Sequence, residues 1–293
     1  MFAICRKICH NRDEVNLMTS LFRCPLCQAP LFRGEHSYSC PQGHSFDIAR
    51  EGYTHLLPAN KKHSKNPGDD KAMVAARSAF LDRGYYAPLR EALTALTVRL
   101  LADSPSPALL DSGCGEGYYT AGLCQALMEA GHTPRIAGVD LSKFALKRAA
   151  RRLPAGEFAV GSVYHLPLEN NTVQLLVNVF SPLATEEFAR VLMPGGYFLY
   201  VVPSSQHLWE LKQVLYDHPY ENPVKTEDYP GFLHRETLPL RFSAKIDRTE
   251  DIMALFGMTP YAWKTPKEGV DRLRTLTCLD TQVGFDIHVY QRA

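Results

Sequence analysis

Ala108-Leu-Leu-Asp111-Ser-Gly113-Cys-Gly115-Glu-Gly117-Tyr118-Tyr119-Thr120 decides the fold. Ala108 to Leu110 read as a short apolar strand, and a helix opens near Gly117. The glycines between them make a corner with few Cβ atoms, so a ligand can approach the backbone closely. A strand that turns through glycines into a helix is how open α/β sheets seat a nucleotide-like molecule. The spacing here is G-x-G-x-G, with the acid Asp111 two places ahead of the first glycine. A dinucleotide fold wants G-x-G-x-x-G, and Tyr118 stands in the sixth place. A nicotinamide oxidoreductase is therefore disfavoured.

Two further markers follow in order. Ile136-Ala-Gly138-Val139-Asp140 reads as the next strand, ending on a carboxylate. An acid at that strand end, about 20 residues past the glycines, suits the two hydroxyls of a ribose. Arg190-Val-Leu-Met-Pro194-Gly195-Gly196 then makes a turn into a strand from Tyr197 to Val202. Together these resemble class I S-adenosylmethionine (SAM) methyltransferases, whose glycine corner wraps the methionyl part of the cofactor. That resemblance implies an α/β fold, a doubly wound sheet, with SAM as cofactor. Strands are expected near 108–111, 135–140, 157–161, 173–180 and 196–202, with helices near 117–130, 142–152, 183–192 and 205–217. Alternation of this kind makes a parallel sheet with right-handed crossovers. Near the end, Leu238 to Ala244 and Val283 to Arg292 read as strands around a helix from Arg248 to Phe256. The last strand is expected antiparallel, and Cys278 is expected in the core.

The chain has 293 residues, 45% hydrophobic and 22% charged, with a net charge of +1. That length suits one large domain and a small appended one. The balanced charge offers no general polycation for nucleic acid, so any such contact must come from local patches. The longest apolar run, Val173 to Phe180, is too short to span a membrane. Residues 1 to 19 have no secretory core. A cytoplasmic location is expected, and with it reduced cysteines, so paired cysteine spacing reads as metal before disulfide.

Cys24-Pro-Leu-Cys27 and Cys40-Pro-Gln-Gly-His44 give C-x2-C, twelve residues, then C-x3-H. Two such turns converge on one tetrahedral ion, and three thiolates with an imidazole suit Zn²⁺. Four protein ligands leave no open position, so this zinc is structural and not catalytic. Cys5, Cys9 and His10 are a weaker candidate for a second site. Met18 is a candidate start.

Between Tyr53 and Asp70, Lys61, Lys62, His63 and Lys65 precede Asn66-Pro-Gly68. The segment reads equally as a solvated linker or as a loop for a phosphate backbone. Asp69 or Asp70 caps a helix over Lys71 to Arg83 with Met73, Ala76, Phe80 and Leu81 inward. Pro88 opens another helix that runs to about Leu101. Lys143, Lys147, Arg148, Arg151 and Arg152 form a basic stripe on the helix after Ser142, either a solvated face or an RNA contact. The expected organisation is a disordered extension over 1–19, a zinc-binding RNA-recognition module over 20–60, linker and helices over 61–104, and the methyltransferase domain over 105–293.

Methyl transfer from a sulfonium requires positioning and desolvation above all. Tyr118, Tyr119 and Tyr86 offer aromatic faces to that charge. Asn178-Val-Phe-Ser-Pro182 partly matches the Asp/Asn-Pro-Pro-aromatic motif of nitrogen methylases, but names no base. Ser162 stands where many relatives carry an adenine-binding acid.

The zinc module, Glu51-Gly-Tyr53, Asn66-Pro-Gly-Asp69, Arg77-Ser-Ala-Phe80-Leu81-Asp82, Gly113 to Thr120 and His207-Leu-Trp-Glu-Leu-Lys212 together resemble the RlmA-type 23S rRNA (guanine-N1)-methyltransferases. The resemblance covers nearly the whole chain from Phe22 onward. It implies that Cys24, Cys27, Cys40 and His44 bind zinc. Tyr86, Tyr119, Thr120 and His207 would contact SAM, together with Asp111, Gly113, Gly115 and Asp140 of the corner. The implied reaction is methylation of N1 of a guanine in a 23S rRNA hairpin, the guanine-745 type or the neighbouring guanine-748, by a homodimer. A small-molecule methyltransferase and a non-catalytic SAM-holding RNA-binding protein are the rival readings.

Overall fold

The computed structural model describes residues 18–58, 67–223 and 228–293. The second metal site on Cys5, Cys9 and His10 and the basic run from Lys61 to Lys65 lie outside the described residues. The described residues begin with four antiparallel strands in order: β1 (Met18–Arg23), β2 (Pro30–Arg33), β3 (Ser37–Ser39) and β4 (Ser45–Asp47). β5 (Tyr53–His55) leaves this sheet and joins the edge of a second one. Two helices follow, α1 (Lys71–Asp82) and α2 (Ala87–Leu100). Then come β6 (Ala108–Ser112), α3 (Tyr118–Glu129), β7 (Arg135–Asp140), α4 (Lys143–Arg152), β8 (Glu157–Val160), β9 (Val173–Val179), α5 (Thr185–Val191) and β10 (Leu192–Pro203). The chain closes with α6 (Trp209–Leu215), β11 (Phe232–Ile246), α7 (Thr249–Gly257), a 3-10 turn at Pro260–Trp263, α8 (Lys267–Arg274) and β12 (Leu279–Arg292).

The large sheet runs β11-β12-β10-β9-β6-β7-β8-β5. β12 is antiparallel to both its neighbours and the other pairings are parallel, as expected for the doubly wound fold with an inserted last strand. Every residue of β6 is buried, because helices or the zinc module cover both faces of a parallel sheet. Local chemistry sets the helix starts. Asp70 accepts from the Ala72 and Met73 N–H groups at 2.8 and 2.9 Å, and the Ser142 hydroxyl accepts from Ala145 N at 3.2 Å. α3 starts at Gly117 with φ +78°. A Cβ there would lie 2.9 Å from Ala149 Cα, so only glycine lets α3 enter this close to α4.

The zinc module shares a core with the sheet. Phe22, Leu31 and Tyr38 are buried with Leu168, Val173 and Phe198 in one cluster. Backbone bonds fix the junction: Arg23 N donates to Pro167 O at 2.8 Å, Phe22 bridges Leu168, and Leu21 N donates to Glu157 Oε1 at 3.0 Å.

Several details depart from the sequence reading. β1 includes Thr19, expected in the extension, and β5 lies within the stretch expected to be all zinc module. β11 and β12 are longer than expected, and the 3-10 turn and α8 were not anticipated. Cys278 is exposed, not core. The basic stripe is largely engaged within the chain. Lys147 and Arg151 meet Glu51 at 3.1 and 3.6 Å, and Arg152 meets Asp82 and Glu116 at 2.9 and 3.1 Å. Among the described residues no helix is long and apolar enough to cross a membrane.

Because Phe22 is 1% exposed and belongs to both parts, Phe22→Ala is expected to cost about 3–5 kcal/mol. Chemical denaturation should show the zinc module and the large sheet shifting together. A shift confined to the module would show that the two cores are independent.

Candidate cofactor cavity and metal centre

A cavity of about 730 Å³ opens at the carboxyl ends of the central strands. Its floor is the corner after β6, from Asp111 through Gly115, with Asp140 from the end of β7 and Tyr200 to Pro203 from β10. The turn after β9, Val179 to Pro182, forms one wall. Met73, Arg77 and Leu81 of α1, His207, and the segment from Met258 to Trp263 close over it.

The corner is shaped for a ligand. A Cβ on Gly113 would lie 2.0 Å from Ser181 Oγ, so this glycine lets the β9 turn close onto the corner. At Gly115 the nearest neighbour, Arg77 Nη1, would be 4.0 Å away, so that side is open. Gly115 N donates to Asp140 Oδ2 at 2.9 Å and Ser142 N to Asp140 Oδ1 at 2.7 Å. These bonds aim the Asp140 carboxyl, while burial raises its pKa. Asp111 is pushed up to about 7, first by burial and further by Asp140, against the hydrogen bond from Thr120 that lowers it.

Thr120 does not reach the cavity wall. It is buried behind Asp111 and donates Oγ1 to Asp111 Oδ2 at 2.5 Å. Tyr119 does line the cavity, and its hydroxyl is buried with no hydrogen-bond partner among the described residues. Tyr86 is buried at the entry to α2, edge-on to Phe285 at 5.1 Å, and His207 lies tilted against the same Phe285 at 4.8 Å. His207 is held down to about 3 by burial and the Lys212 charge. Its Nδ1 accepts from Gly284 N at 3.3 Å, which leaves the ring proton on Nε2, so His207 is a neutral donor. Ser162 also lines the wall.

SAM fits this cavity. Among the described residues, Asp69, Asp111, Glu116 and Asp140 give the lining an excess of carboxylates over its single guanidinium, as suits a ligand with a sulfonium and an ammonium. The unpartnered Tyr119 hydroxyl and the open side of Gly115 both await a polar group. Sequence reasoning missed Arg77 as a site residue, although it opens the Arg77-to-Asp82 segment that carries part of the family resemblance. It also missed Trp263 and Asn222, which arrive from irregular segments without a local signature.

Cys24, Cys27, Cys40 and His44 bring one ligand atom each to within 4.8 Å of one another. Cys27 Sγ is 3.7 Å from Cys40 Sγ, and His44 Nδ1 is 3.5 and 3.4 Å from the Cys24 and Cys40 sulfurs. A tetrahedron with Zn–S near 2.3 Å and Zn–N near 2.0–2.1 Å has edges of about 3.8 and 3.5 Å. The donor set fits zinc.

A zinc-ribbon profile described as "RlmA, N-terminal" matches residues 22–65, and one described as "Methyltransferase domain" matches residues 109–196. The 23S rRNA (guanine(748)-N(1))-methyltransferase of Streptomyces fradiae is 39% identical over 66% of this chain and 67% of its own. YxjB of Bacillus subtilis is 33% identical over 92% of this chain and 96% of its own. A protein of Micromonospora griseorubida is 36% identical over 83% and 87%. Both are provisionally named 23S rRNA (guanine-N(1)-)-methyltransferases. The chain belongs to the RlmA-type 23S rRNA (guanine-N1)-methyltransferase family. Its cofactors are accordingly SAM and a structural zinc ion.

The raised Asp111 makes a pH prediction in this family member. The neutral carboxyl stabilises the fold fully below its unfolded value of 3.8, and that stability is lost as pH rises through about 7. Asp111→Asn cannot ionise. It should melt higher than the wild-type chain at pH 8 without SAM, with the gap shrinking towards pH 5, while its SAM affinity falls. An equal gap at both pH values would refute the assignment.

Proposed function

We propose that this chain methylates N1 of one guanine in a 23S rRNA hairpin. The zinc ribbon docked rigidly onto a methyltransferase core carries the reading most directly, because a small-molecule enzyme needs no second recognition surface. In this reading Cys24, Cys27, Cys40 and His44 hold the zinc. Asp111, Gly113, Gly115, Tyr119 and Asp140, with Tyr86 and His207, hold SAM. Thr120 acts through Asp111.

Guanine N1 lies in the pairing edge, so the base must be unpaired or extruded at a cost of a few kcal/mol. A hairpin loop lowers that cost. Three aromatic rings stand exposed where the cavity opens: Tyr164 at 55%, Phe180 at 49% and Trp263 at 71%. Phe180 holds a left-handed backbone with φ +55°, a strained conformation for an aromatic residue. Stacking on such a ring stabilises an unpaired base by about 1–3 kcal/mol. When bound, SAM supplies an activated methyl. The chain's part is to orient the purine edge towards it, exclude water, and donate from His207 Nε2.

Guanine 748 is the first candidate, since the S. fradiae relative is named for that position. A cytoplasmic location goes with an rRNA substrate. A homodimer also belongs to this reading, and the outer edge of β11, which pairs with no further strand among the described residues, is a surface on which a second copy can add.

N1-methylguanine blocks reverse transcription. Incubating the protein with SAM and 23S rRNA lacking the modification should create one new primer-extension stop at a hairpin guanine. Label entering only small metabolites would favour the small-molecule rival, and SAM binding without transfer the non-catalytic one. Chelating the zinc should weaken binding of the rRNA hairpin at least ten times more than binding of SAM in parallel titrations. Equal loss of both would make the ribbon a lid on the cavity.

A further inference from the structure

Among the described residues, Arg77 is the one arginine or lysine that lines the cavity, facing a wall that also carries four carboxylates. It projects from α1, and its Nη1 donates to Asp69 Oδ2. Asp69 is itself anchored, because its backbone carbonyl accepts from Ser142 Oγ at 2.6 Å. The glycine before it, Gly68, packs so tightly on α4 that a Cβ would lie 2.8 Å from Ser142 N. Ser142 N in turn donates to Asp140. A continuous set of bonds therefore runs from Asp140 to the Arg77 guanidinium.

That guanidinium overlooks the open side of Gly115, at 4.0 Å from where a Cβ would be. Its charge is felt at both Asp140 and Tyr119. A guanidinium has five N–H donors, and one suffices for Asp69, so most of the fork remains available on the cavity side. SAM carries a single anionic group, the carboxylate of its methionyl end. Among the described lining residues the other charged side chains are all carboxylates, so Arg77 is the cation that can meet that group.

We propose that Arg77 binds the methionyl carboxylate of SAM, with Asp69 fixing the guanidinium above Gly115. The proposal rests on reading this cavity as the SAM site. The wild-type titration below tests that reading separately from the role of Arg77.

The experiment is calorimetric titration of the zinc-loaded, full-length protein with SAM and with decarboxylated SAM, which keeps the sulfonium, ammonium and adenosine. Wild type should prefer SAM by about ten- to hundred-fold, the range of a charge-assisted pair. Arg77→Gln should lose that preference by weakening SAM alone, leaving decarboxylated SAM within about two-fold of wild type. Arg77→Lys, which keeps the charge without the fork, should retain part of the preference. A wild type that binds both ligands equally would overturn the proposal even if no variant folds. So would an Arg77→Gln variant that weakens both ligands alike, or one that spares SAM and weakens only the rRNA hairpin, which would assign Arg77 to a phosphate. No binding of either ligand by wild type would instead remove the cavity's assignment to SAM.

Discussion

Two carboxyl groups held out of water at the ends of neighbouring strands set the terms for the site. Asp111 is buried and Asp140 partly so, and removing a carboxylate from water without a partner costs several kcal/mol. The fold offsets part of this with N–H groups from Gly115 and Ser142 and the hydroxyl of Thr120. Arg77 is the one positive charge in the described lining and acts at Asp140; the cost it leaves uncovered suits a cationic ligand. The glycine corner makes the acids accessible, since side chains at Gly113 or Gly115 would displace either the β9 turn or the ligand.

The zinc ribbon belongs to the same physical argument. Its strands are too short to make a stable core alone, and the metal ties their turns together through Cys24, Cys27, Cys40 and His44. What apolar surface it has is completed by Leu168 and Phe198 of the large domain. The ribbon therefore has a fixed orientation relative to the cavity. A rigid second surface can read the shape of a folded RNA while the cavity receives one base, whereas a tethered one would lose much of that advantage to ordering entropy.

How much of this was legible depended on whether the signal was local. The corner, Asp140 and the four metal ligands are spacing patterns within short stretches, and the structure brings each set together. β6 to β10 declared themselves through continuous apolar runs. Thr120 enters as a SAM contact through the family resemblance alone; one step along the helix from Tyr119 its side chain turns to a different face and donates to Asp111. α8 was obscured by Gly269, a poor helix former whose hydrogen side packs against Leu215 O, where a Cβ would lie only 2.2 Å away. β11 alternates at the sheet edge among many exposed polar residues, so its ends had no apolar mark. The partners of the basic stripe, Glu51 and Glu116, are distant in sequence, and no pattern along α4 could announce them. Arg77 was invisible as a site residue for the same reason: its meaning comes from Asp69 and Gly115, on two other segments.

Counting protons on cofactor binding tests the central claim most directly. Calorimetry of SAM binding in buffers of different ionisation enthalpy gives the number exchanged at each pH. An Asp111 carboxyl that holds a proton in the free cavity and loses it to a cationic ligand predicts release near pH 6, fading above about pH 8, given its value of about 7. Binding with no proton exchange across that range, or with uptake, would contradict the account.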